Sequence, residues 1–100
     1  MPTAYITAPT DAAPALARTL VEERLAACVN RVPCESTYRW EGEVVESEEV
    51  ILLAKTTDGR FSELVERVEA EHPYETPCIE RFDEEAVLPA FAEWIEESTR

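Results

Sequence analysis

The sequence predicts an α+β domain in which strands and helices follow the order βαββαβ, with one further helix near the C-terminal end. Three observations support this prediction. Apolar residues recur at helical spacing in three segments, alternate with polar residues on both sides of residue 42, and form a short strand candidate towards each end of the chain. Two successive β-α-β units form a four-stranded antiparallel sheet with helices on one face.

The first strand and the first helix are predicted at residues 4–8 and 10–27. The strand candidate has the sequence AYITA. In the helix, Thr10 or Asp11 is the expected N-cap, and Pro14 falls in the first turn, where its missing N–H costs little. Leucines and a valine recur along the segment at helical spacing, which predicts one buried face.

A long β-hairpin is predicted between the second and third strands, from residue 27 to residue 57. The hydrophobic period changes to two at Ala27, and Gly42 supplies a tight turn. One face of the second strand is therefore expected to be sheltered from solvent and the other to be exposed to it. The residues on the sheltered side are Cys28, Val32, Cys34, Tyr38 and Trp40.

The length of this hairpin predicts contact with another subunit. Residues 27–40 would span about 45 Å if fully extended, whereas a compact chain of this size has a radius of gyration near 13 Å. Pro33 is expected to insert a bulge or bend, because it cannot donate a hydrogen bond to a neighbouring strand. The tip, with Tyr38, Trp40 and Val44, is too apolar to project into water, so a second copy is expected to cover it.

The remaining elements are a helix at residues 57–72, a strand at 77–83 and a helix at 84–98. Pro73 ends the second helix just after His72. The apolar stripe expected on the last helix is Leu88, Phe91 and Ile95. The whole order is that of the ferredoxin-like arrangement in one domain, and this arrangement by itself does not define a chemistry.

The charge of the chain excludes some classes of partner. Its 100 residues include 22 acidic and 9 basic ones, which gives a formal net charge of −13. Nucleic acids and anionic membranes are disfavoured, because binding them requires clustered lysine and arginine. An acidic surface with a single lysine, Lys55, is typical of adaptation to a salt-rich interior, where Debye screening weakens self-repulsion.

Cysteine usage and hydropathy predict a cytoplasmic protein. No apolar run approaches the roughly twenty residues of a membrane span, and the first residues lack the pattern of a signal peptide. Cys28, Cys34 and Cys78 are an odd number with no C-x-x-C pair, so neither a disulfide framework nor a structural zinc site is expected. Reduced thiols in the cytoplasm are the expectation.

The only histidine, His72, lies in the stretch EHPYETPCIE at residues 71–80 and is a candidate metal ligand. Neutral imidazole binds copper and zinc, and Glu71, Glu75 or a cysteine would be its partners. The alternative is structural, because His72 is predicted to end a helix, where a protonated imidazole is favoured by the dipole.

Lys55 is a second candidate for a defined polar role. It lies near the end of an apolar strand, and with Thr56, Tyr74 and Glu75 it is expected to line a pocket; the alternative is that it caps a sheet edge. No catalytic residue is predicted. The chain has one histidine and no serine in a nucleophile turn, and its two glycines cannot build a phosphate-binding loop.

Several segments together resemble the CutA family of divalent-cation-tolerance proteins. ITAP, LAACVN, STYRWEG, AKTT and EHPYETP occur in this order, and the resemblance covers about residues 4–97. It implies a ferredoxin-like subunit in a homotrimer, with hairpins that reach across neighbours, and a role in tolerance to copper or another divalent cation. It also implies an architectural likeness to the PII signalling proteins.

The resemblance further implies where ligands would bind. The family's proposed metal ligands, one cysteine and two successive histidines, correspond here to Ile6, Glu71 and His72, so a copper site in this chain would be weakened or altered. An inter-subunit cleft is implied as well. Its expected residues are Trp40, Lys55, Thr56, Tyr74 and Glu75.

The predicted function is therefore that of a non-enzymatic, cytoplasmic homotrimer in the response to metal ions. Two alternatives stay open. One is a small-ligand sensor of PII type, in which Lys55 would contribute the charge for an anionic metabolite. The other is a trimeric scaffold that organises a partner protein.

Overall fold

The structure is a computed structural model that describes residues 1–100 and contains three helices and four strands in the predicted order. The elements are β1 (Pro2–Pro9), α1 (Ala13–Glu22), β2 (Cys28–Trp40), β3 (Glu43–Lys55), α2 (Asp58–Glu71), β4 (Ile79–Asp83) and α3 (Pro89–Ser98). None of the three helices combines the length and the apolar character of a membrane-spanning segment.

The four strands form one antiparallel sheet in the order β2-β3-β1-β4. The first strand is central because it pairs with β3 on one side and β4 on the other. This order, with a helical crossover within each β-α-β unit and the hairpin of β2 and β3 between the units, confirms the predicted α+β class and the ferredoxin-like arrangement.

Alternate strand residues form a helix-covered face against α1 and α2. Side chains on successive strand residues point to opposite faces, and those on this face are fully buried. They are Ala4, Ile6 and Ala8 of β1 and Leu52 and Ala54 of β3, all at 0% exposure. Leu16 and Leu20 of α1 and Leu64 and Val68 of α2 complete the same apolar cluster. This cluster is the hydrophobic core.

The opposite face of the sheet, called here the open face, is packed against neither α1 nor α2. Tyr5 of β1 stacks on Phe82 of β4, with ring centroids 5.4 Å apart. Val32 is 43% exposed and Phe82 is 48% exposed. The side of β2 that was expected to be sheltered lies on this face, so within one chain it is not sheltered: Trp40 is 46% exposed.

The hairpin of β2 and β3 is continuous from base to tip. Its register runs from Cys28 opposite Lys55 to Trp40 opposite Glu43 without interruption. The bulge expected at Pro33 is absent, because β2 is an edge strand, where a residue without an N–H is tolerated. Residues 41–42 form the tip with φ angles of 49° and 82°, as a type I′ turn requires.

The extended hairpin sets the shape of the subunit. The chain measures 45 Å along its longest axis against 25 and 20 Å along the others. Such an elongated form agrees with the predicted overhang of the hairpin beyond the core.

The first helix is shorter than predicted at both ends. A turn closes between Pro9 and Ala12, which becomes the N-cap and makes no side-chain cap bond, so the expected caps Thr10 and Asp11 were wrong. Arg24 adopts a φ of 60°, a left-handed conformation that typically follows the end of a helix.

The last helix begins at Pro89 instead of residue 84. A residue that precedes proline is disfavoured in the helical conformation, and Leu88 is accordingly extended with ψ at 124°. Of the predicted stripe only Ile95 is buried, whereas Leu88 is 72% exposed. Phe91 instead stacks on Trp94 at the surface, with centroids 5.7 Å apart.

Candidate functional site

A cavity of about 510 Å³ lies on the open face between the outer half of the hairpin and the segment after α2. Its walls consist of strand side chains that point to the open face and of the loop that leads to β4. The lining residues are Thr7, Ser36, Tyr38, Trp40, Glu49, Pro73, Tyr74, Glu75, Thr76 and Cys78. Ligand sites in proteins commonly enclose about 300–1,000 Å³, so this volume suits a small organic molecule.

The local sequence explains why these side chains converge. The two-residue period of β2 puts Ser36, Tyr38 and Trp40 on the same face, and the hairpin register puts Glu49 opposite Cys34 on that face. Pro73 follows the end of α2 and cannot continue it, so the chain turns across the sheet.

A hydrogen bond between Tyr74 and Glu49 holds one wall of the cavity. The Tyr74 hydroxyl donates to Oε2 of Glu49 at 2.9 Å. Chiefly two causes raise the pKa of the Tyr74 phenol to about 12: burial is the larger one, and this hydrogen bond is the smaller one. Glu49 is only 5% exposed, yet its Oε1 accepts no hydrogen bond within the chain. Glu84 Oε2 is the one buried side-chain oxygen that lacks both a partner and solvent access, so Glu49 Oε1 keeps contact with solvent, and the Glu49 side chain lines the cavity.

His72 supports the cavity from behind and does not line it. Its Nε2 lies 2.8 Å from the Thr7 carbonyl oxygen, and its Nδ1 accepts a hydrogen bond from the Tyr74 N–H at 3.1 Å. Because a carbonyl only accepts, Nε2 carries the proton and the ring is in its neutral Nε2–H tautomer. The ring is 7% exposed and packs 4.9 Å from Tyr74, centroid to centroid. His72 therefore orients Tyr74.

The predicted metal ligands are not gathered in one place. Glu71 Oε1 accepts a hydrogen bond from Arg67 at 3.2 Å on the outer surface of α2. No group of three histidine, cysteine, aspartate or glutamate side chains has the arrangement of a metal site. Ile6, at the family's cysteine position, is a fully buried core residue on the helix-covered face.

The structure divides the predicted cleft residues into two sets. Within one chain, Trp40, Tyr74 and Glu75 line the cavity together; their place in a cleft between subunits stays a prediction. Lys55 lies at the other end of the hairpin, twelve residues from Glu43 along β3, or about 40 Å by strand geometry. Its Nζ donates to Asn30 Oδ1 at 2.9 Å.

Thr56 has a structural role beside Lys55. It is fully buried, and its hydroxyl donates to the Leu25 carbonyl at 2.6 Å. Within one chain, therefore, neither Lys55 nor Thr56 reaches the cavity.

The three cysteines are free thiols. Cys78 lines the cavity, and burial raises the pKa of its thiol, which makes it a weaker nucleophile at neutral pH. Cys34 lies 3.9 Å from the Ser36 hydroxyl, measured from Sγ to Oγ.

Sequence reasoning missed Glu49 as a site residue. In the sequence it is one of several glutamates between the hairpin turn and an apolar run, which is typical of a solvated segment. The informative signal is the spacing of Glu49 along β3. It is two and four residues before Ile51 and Leu53, so its side chain lies on the same face of the sheet as these two apolar residues. Fold and cavity together define a ferredoxin-like subunit with a ligand-sized cavity beside a long hairpin.

Comparison with known proteins identifies the family. The family model described as CutA1 divalent ion tolerance protein matches residues 3–98. The divalent-cation tolerance protein CutA of Thermus thermophilus is 49% identical over 96 residues, which cover 94% of this chain and 93% of that protein. This chain belongs to the CutA1 divalent ion tolerance family.

Solved structures agree with this assignment. CutA1 from Pyrococcus horikoshii has a TM-score of 0.95 at 36% identity, with 100% of this chain and 99% of that chain covered. The PII-like protein CutA from a Nostoc species, in its apo form, has a TM-score of 0.97 at 33% identity, with 100% and 98% covered. The fold is thus shared with a CutA protein described as PII-like.

Proposed function

We propose that this chain acts in tolerance of divalent metal ions as a non-enzymatic, cytoplasmic homotrimer that binds a small ligand in the cavity. The observation that carries the proposal is the cavity itself, with its aromatic walls and a nine-tenths buried Glu49 fixed by Tyr74. Such a polar group with a free oxygen, set in a largely apolar enclosure, is typical of ligand sites. The free thiols are compatible with the cytoplasm.

The proposed trimer is supported by the open face. In a single chain the large apolar residues Val32 and Phe82 are in contact with water, with 43% and 48% of their surface exposed. Two large apolar side chains exposed on one face of a sheet favour an association surface. The edge strand β2 adds unpaired backbone groups to the same region, and pairing with another copy would satisfy them.

Direct binding of a divalent ion such as copper at His72 is the second candidate, since the matching family is described as a divalent ion tolerance family. Coordination through Nε2 would remove the hydrogen bond to the Thr7 carbonyl, and coordination through Nδ1 would remove the one from the Tyr74 N–H. Glu71 would have to leave Arg67. We therefore expect any copper affinity to be weak and independent of His72.

Equilibrium dialysis with Cu(II), and with Cu(I) under reduction, separates these possibilities. The variants are His72→Ala and a cysteine-free chain. The proposal predicts that His72→Ala does not abolish any stoichiometric copper binding that the wild type shows. One copper ion per chain, lost in His72→Ala, would place the metal at this residue; loss only in the cysteine-free chain would place it at the thiols.

Thermal-shift screening tests the small-ligand proposal itself. The screen compares nucleotides, organic acids, neutral polar molecules and amines on the wild type and on Trp40→Ala, which removes a wall of the cavity from an exposed position. At least one class is expected to raise the melting temperature of the wild type and to have less effect on Trp40→Ala. If no class stabilises the wild type, the cavity is not a ligand site.

A further inference from the structure

We propose that α3 is the surface on which the hairpin of a neighbouring copy docks, through the outer side of the hairpin tip, which faces away from the cavity. This inference rests on the proposed homotrimer and names two surfaces that meet within it. The surface on α3, called here the aromatic stripe, consists of Leu88, Phe91 and Trp94.

The aromatic stripe is left uncovered by its own chain. Leu88, Phe91 and Trp94 are 72%, 36% and 44% exposed, and the rings of Phe91 and Trp94 stack on each other. Residues three apart are neighbours on a helix surface, so the three side chains form one group. Single apolar residues at a surface are ordinary, whereas a group with two aromatic rings favours an association surface.

The packing of α3 on its own chain is thin. Ile95 is the only one of its ten residues that is buried, and the buried Thr99 follows at the C-cap. A helix of this length is marginal in water unless tertiary packing holds it. A second surface packed on the aromatic stripe would therefore stabilise α3.

The hairpin tip presents a complementary surface on its outer side. Val44 lies opposite Arg39 in the hairpin register. Both side chains point away from the open face, on which Trp40 lies. Towards the base of the hairpin, helices cover this same side, and Leu52 is fully buried there. At the tip Val44 is 63% exposed, because the hairpin extends beyond the core.

Arg39 and Glu97 add complementary charges to these two surfaces. Arg39 is the only basic residue between positions 32 and 54, and its one hydrogen bond goes to the Gly42 carbonyl at 3.3 Å. Glu97 follows Trp94 by three residues and takes part in no ion pair within the chain. A guanidinium is attracted both by a carboxylate and by the face of a tryptophan ring. Arg39 of one copy therefore fits beside Trp94 and Glu97 of another.

Symmetry and reach identify a second copy as the occupant. A closed ring of three copies cannot be built from one self-complementary patch, so each copy must carry two different patches that fit each other. The subunit is 45 Å long and 25 and 20 Å across, so its hairpin can reach beyond its own core to a neighbour. Within one chain the tip lies away from α3. Arg60 ties α3 to the start of α2, at the base of the hairpin, where its Nε donates to the Thr99 carbonyl at 2.7 Å.

The aromatic stripe also continues the proposed association surface. The strand β4 is the second edge of the sheet, and it leads into α3 through residues 84–88. A neighbouring hairpin that lies along this edge, beside the exposed Phe82, would therefore meet α3.

Quenching of Trp94 fluorescence by acrylamide, a neutral quencher, tests whether the aromatic stripe is covered. Trp40→Phe makes Trp94 the only tryptophan and keeps an aromatic ring at position 40. Within this parent chain, Val44→Glu and Val21→Glu add the same charge at exposed valines of the tip and of α1. Trp94 is expected to be quenched severalfold more in Val44→Glu than in the parent chain, and Val21→Glu is expected to match the parent.

Disulfide trapping between two chains tests which surface covers the stripe. The three native cysteines are first replaced by serine, and single cysteines are then introduced. A disulfide forms readily only where the two Cα atoms lie about 4.4–6.8 Å apart. After mixing and oxidation, Val44→Cys is expected to link to Phe91→Cys or Leu88→Cys at least tenfold faster than the control, Val21→Cys, does.

The outcomes separate the docking on α3 from the homotrimer itself. A mass of three chains with Trp94 equally quenched in the parent and in Val44→Glu would overturn the docking and leave the homotrimer standing. Shielding of Trp94 without preferential linkage of Val44→Cys would mean that a different surface covers the stripe, which also overturns the docking. A parent mass of one chain would contradict the homotrimer and the docking together.

Discussion

The two faces of the sheet differ in nearly every physical property. On the helix-covered face, Ala4, Ile6 and Leu52 are fully buried and carry no polar side-chain atom. On the open face, the same strands present Tyr5, Thr7 and Glu49, and neither α1 nor α2 packs over them. One strand therefore contributes to stability with one set of side chains and to recognition with the next.

This difference separates the requirements of folding from those of function. Burial against α1 and α2 stabilises the single chain, and it tolerates only apolar residues of fitting size. The open face keeps half-exposed aromatic rings and a buried carboxylate, Glu49, whose hydrogen bond comes from the Tyr74 hydroxyl. Groups of this kind are typical of a surface that contacts a ligand or another copy of the chain.

The largest expected effect comes from truncating neighbouring leucines on the two faces. Leu52→Ala removes a fully buried side chain and is expected to cost about 2–5 kcal/mol of unfolding free energy. Leu53→Ala, one residue along β3 on the open face, is expected to cost less and to depend on protein concentration, because only association buries it fully. Denaturant unfolding at two concentrations measures both. Equal, concentration-independent losses would remove the distinction between the faces.

A smaller effect is expected from Tyr74→Phe, which removes the hydroxyl from Glu49. The loss is expected to be about 1–3 kcal/mol, because a nearly buried carboxylate loses its donor. The pKa of Tyr74 rises from 10.0 to about 12 on folding, so its contribution is complete below pH 10 and is lost as the pH rises towards 12.

Ultraviolet titration of tyrosinate tests this assignment. The transition near pH 12 is expected to disappear in Tyr74→Phe. Tyr38→Phe is the control, since the Tyr38 hydroxyl makes only a long contact of 3.5 Å with Ser47 at the surface, and it should leave that transition in place. A transition that survives in Tyr74→Phe would assign it to another phenol.

The smallest effect is expected from Asp83→Asn at the exposed end of β4. Hydrogen bonds from Arg81 lower the pKa of the Asp83 carboxyl below its ordinary 3.8. The ion pair therefore stabilises the fold above that pH, and its contribution is lost as the pH falls through the lowered pKa. Asp83→Asn should reduce the melting temperature slightly at pH 7, and this deficit should shrink at low pH, as the pH falls below the ordinary 3.8 and through the lowered pKa.

Glu85→Gln is the control for Asp83→Asn, because Glu85 is exposed and accepts no hydrogen bond from an arginine. It is expected to leave the melting temperature unchanged at both pH values. A deficit of Asp83→Asn that persists at low pH would mean that the side chain acts by something other than its charge.

Most of the fold could be predicted because its signals are local. The period of two along β2 and the turn at Gly42 define the hairpin, and Pro73 ends α2. The ends of α1 and α3 were misplaced. There a backbone turn at Pro9 and the restriction imposed by Pro89 on Leu88 override the apolar pattern.

The candidate site was only partly predictable, since it depends on register and on distance. Tyr74 and Trp40 were expected in a cleft between subunits, and within one chain both line the cavity. Lys55 was assigned to the same cleft; within one chain the hairpin register separates it from Trp40 by the length of β3, so its place in a cleft between subunits stays a prediction. Glu49 could not be found without that register, because in sequence it resembles its solvated neighbours.

The most direct test of the account is the mass of the protein in solution, measured by sedimentation equilibrium at high salt. The wild type is expected at three times the 11.3 kDa of one chain. Val32→Glu on the open face should reduce this mass, whereas Val21→Glu on α1 should not, although the two valines are 43% and 41% exposed in one chain. A wild-type mass of one chain, or equal effects of both substitutions, would contradict the claim that the open face is the surface of association.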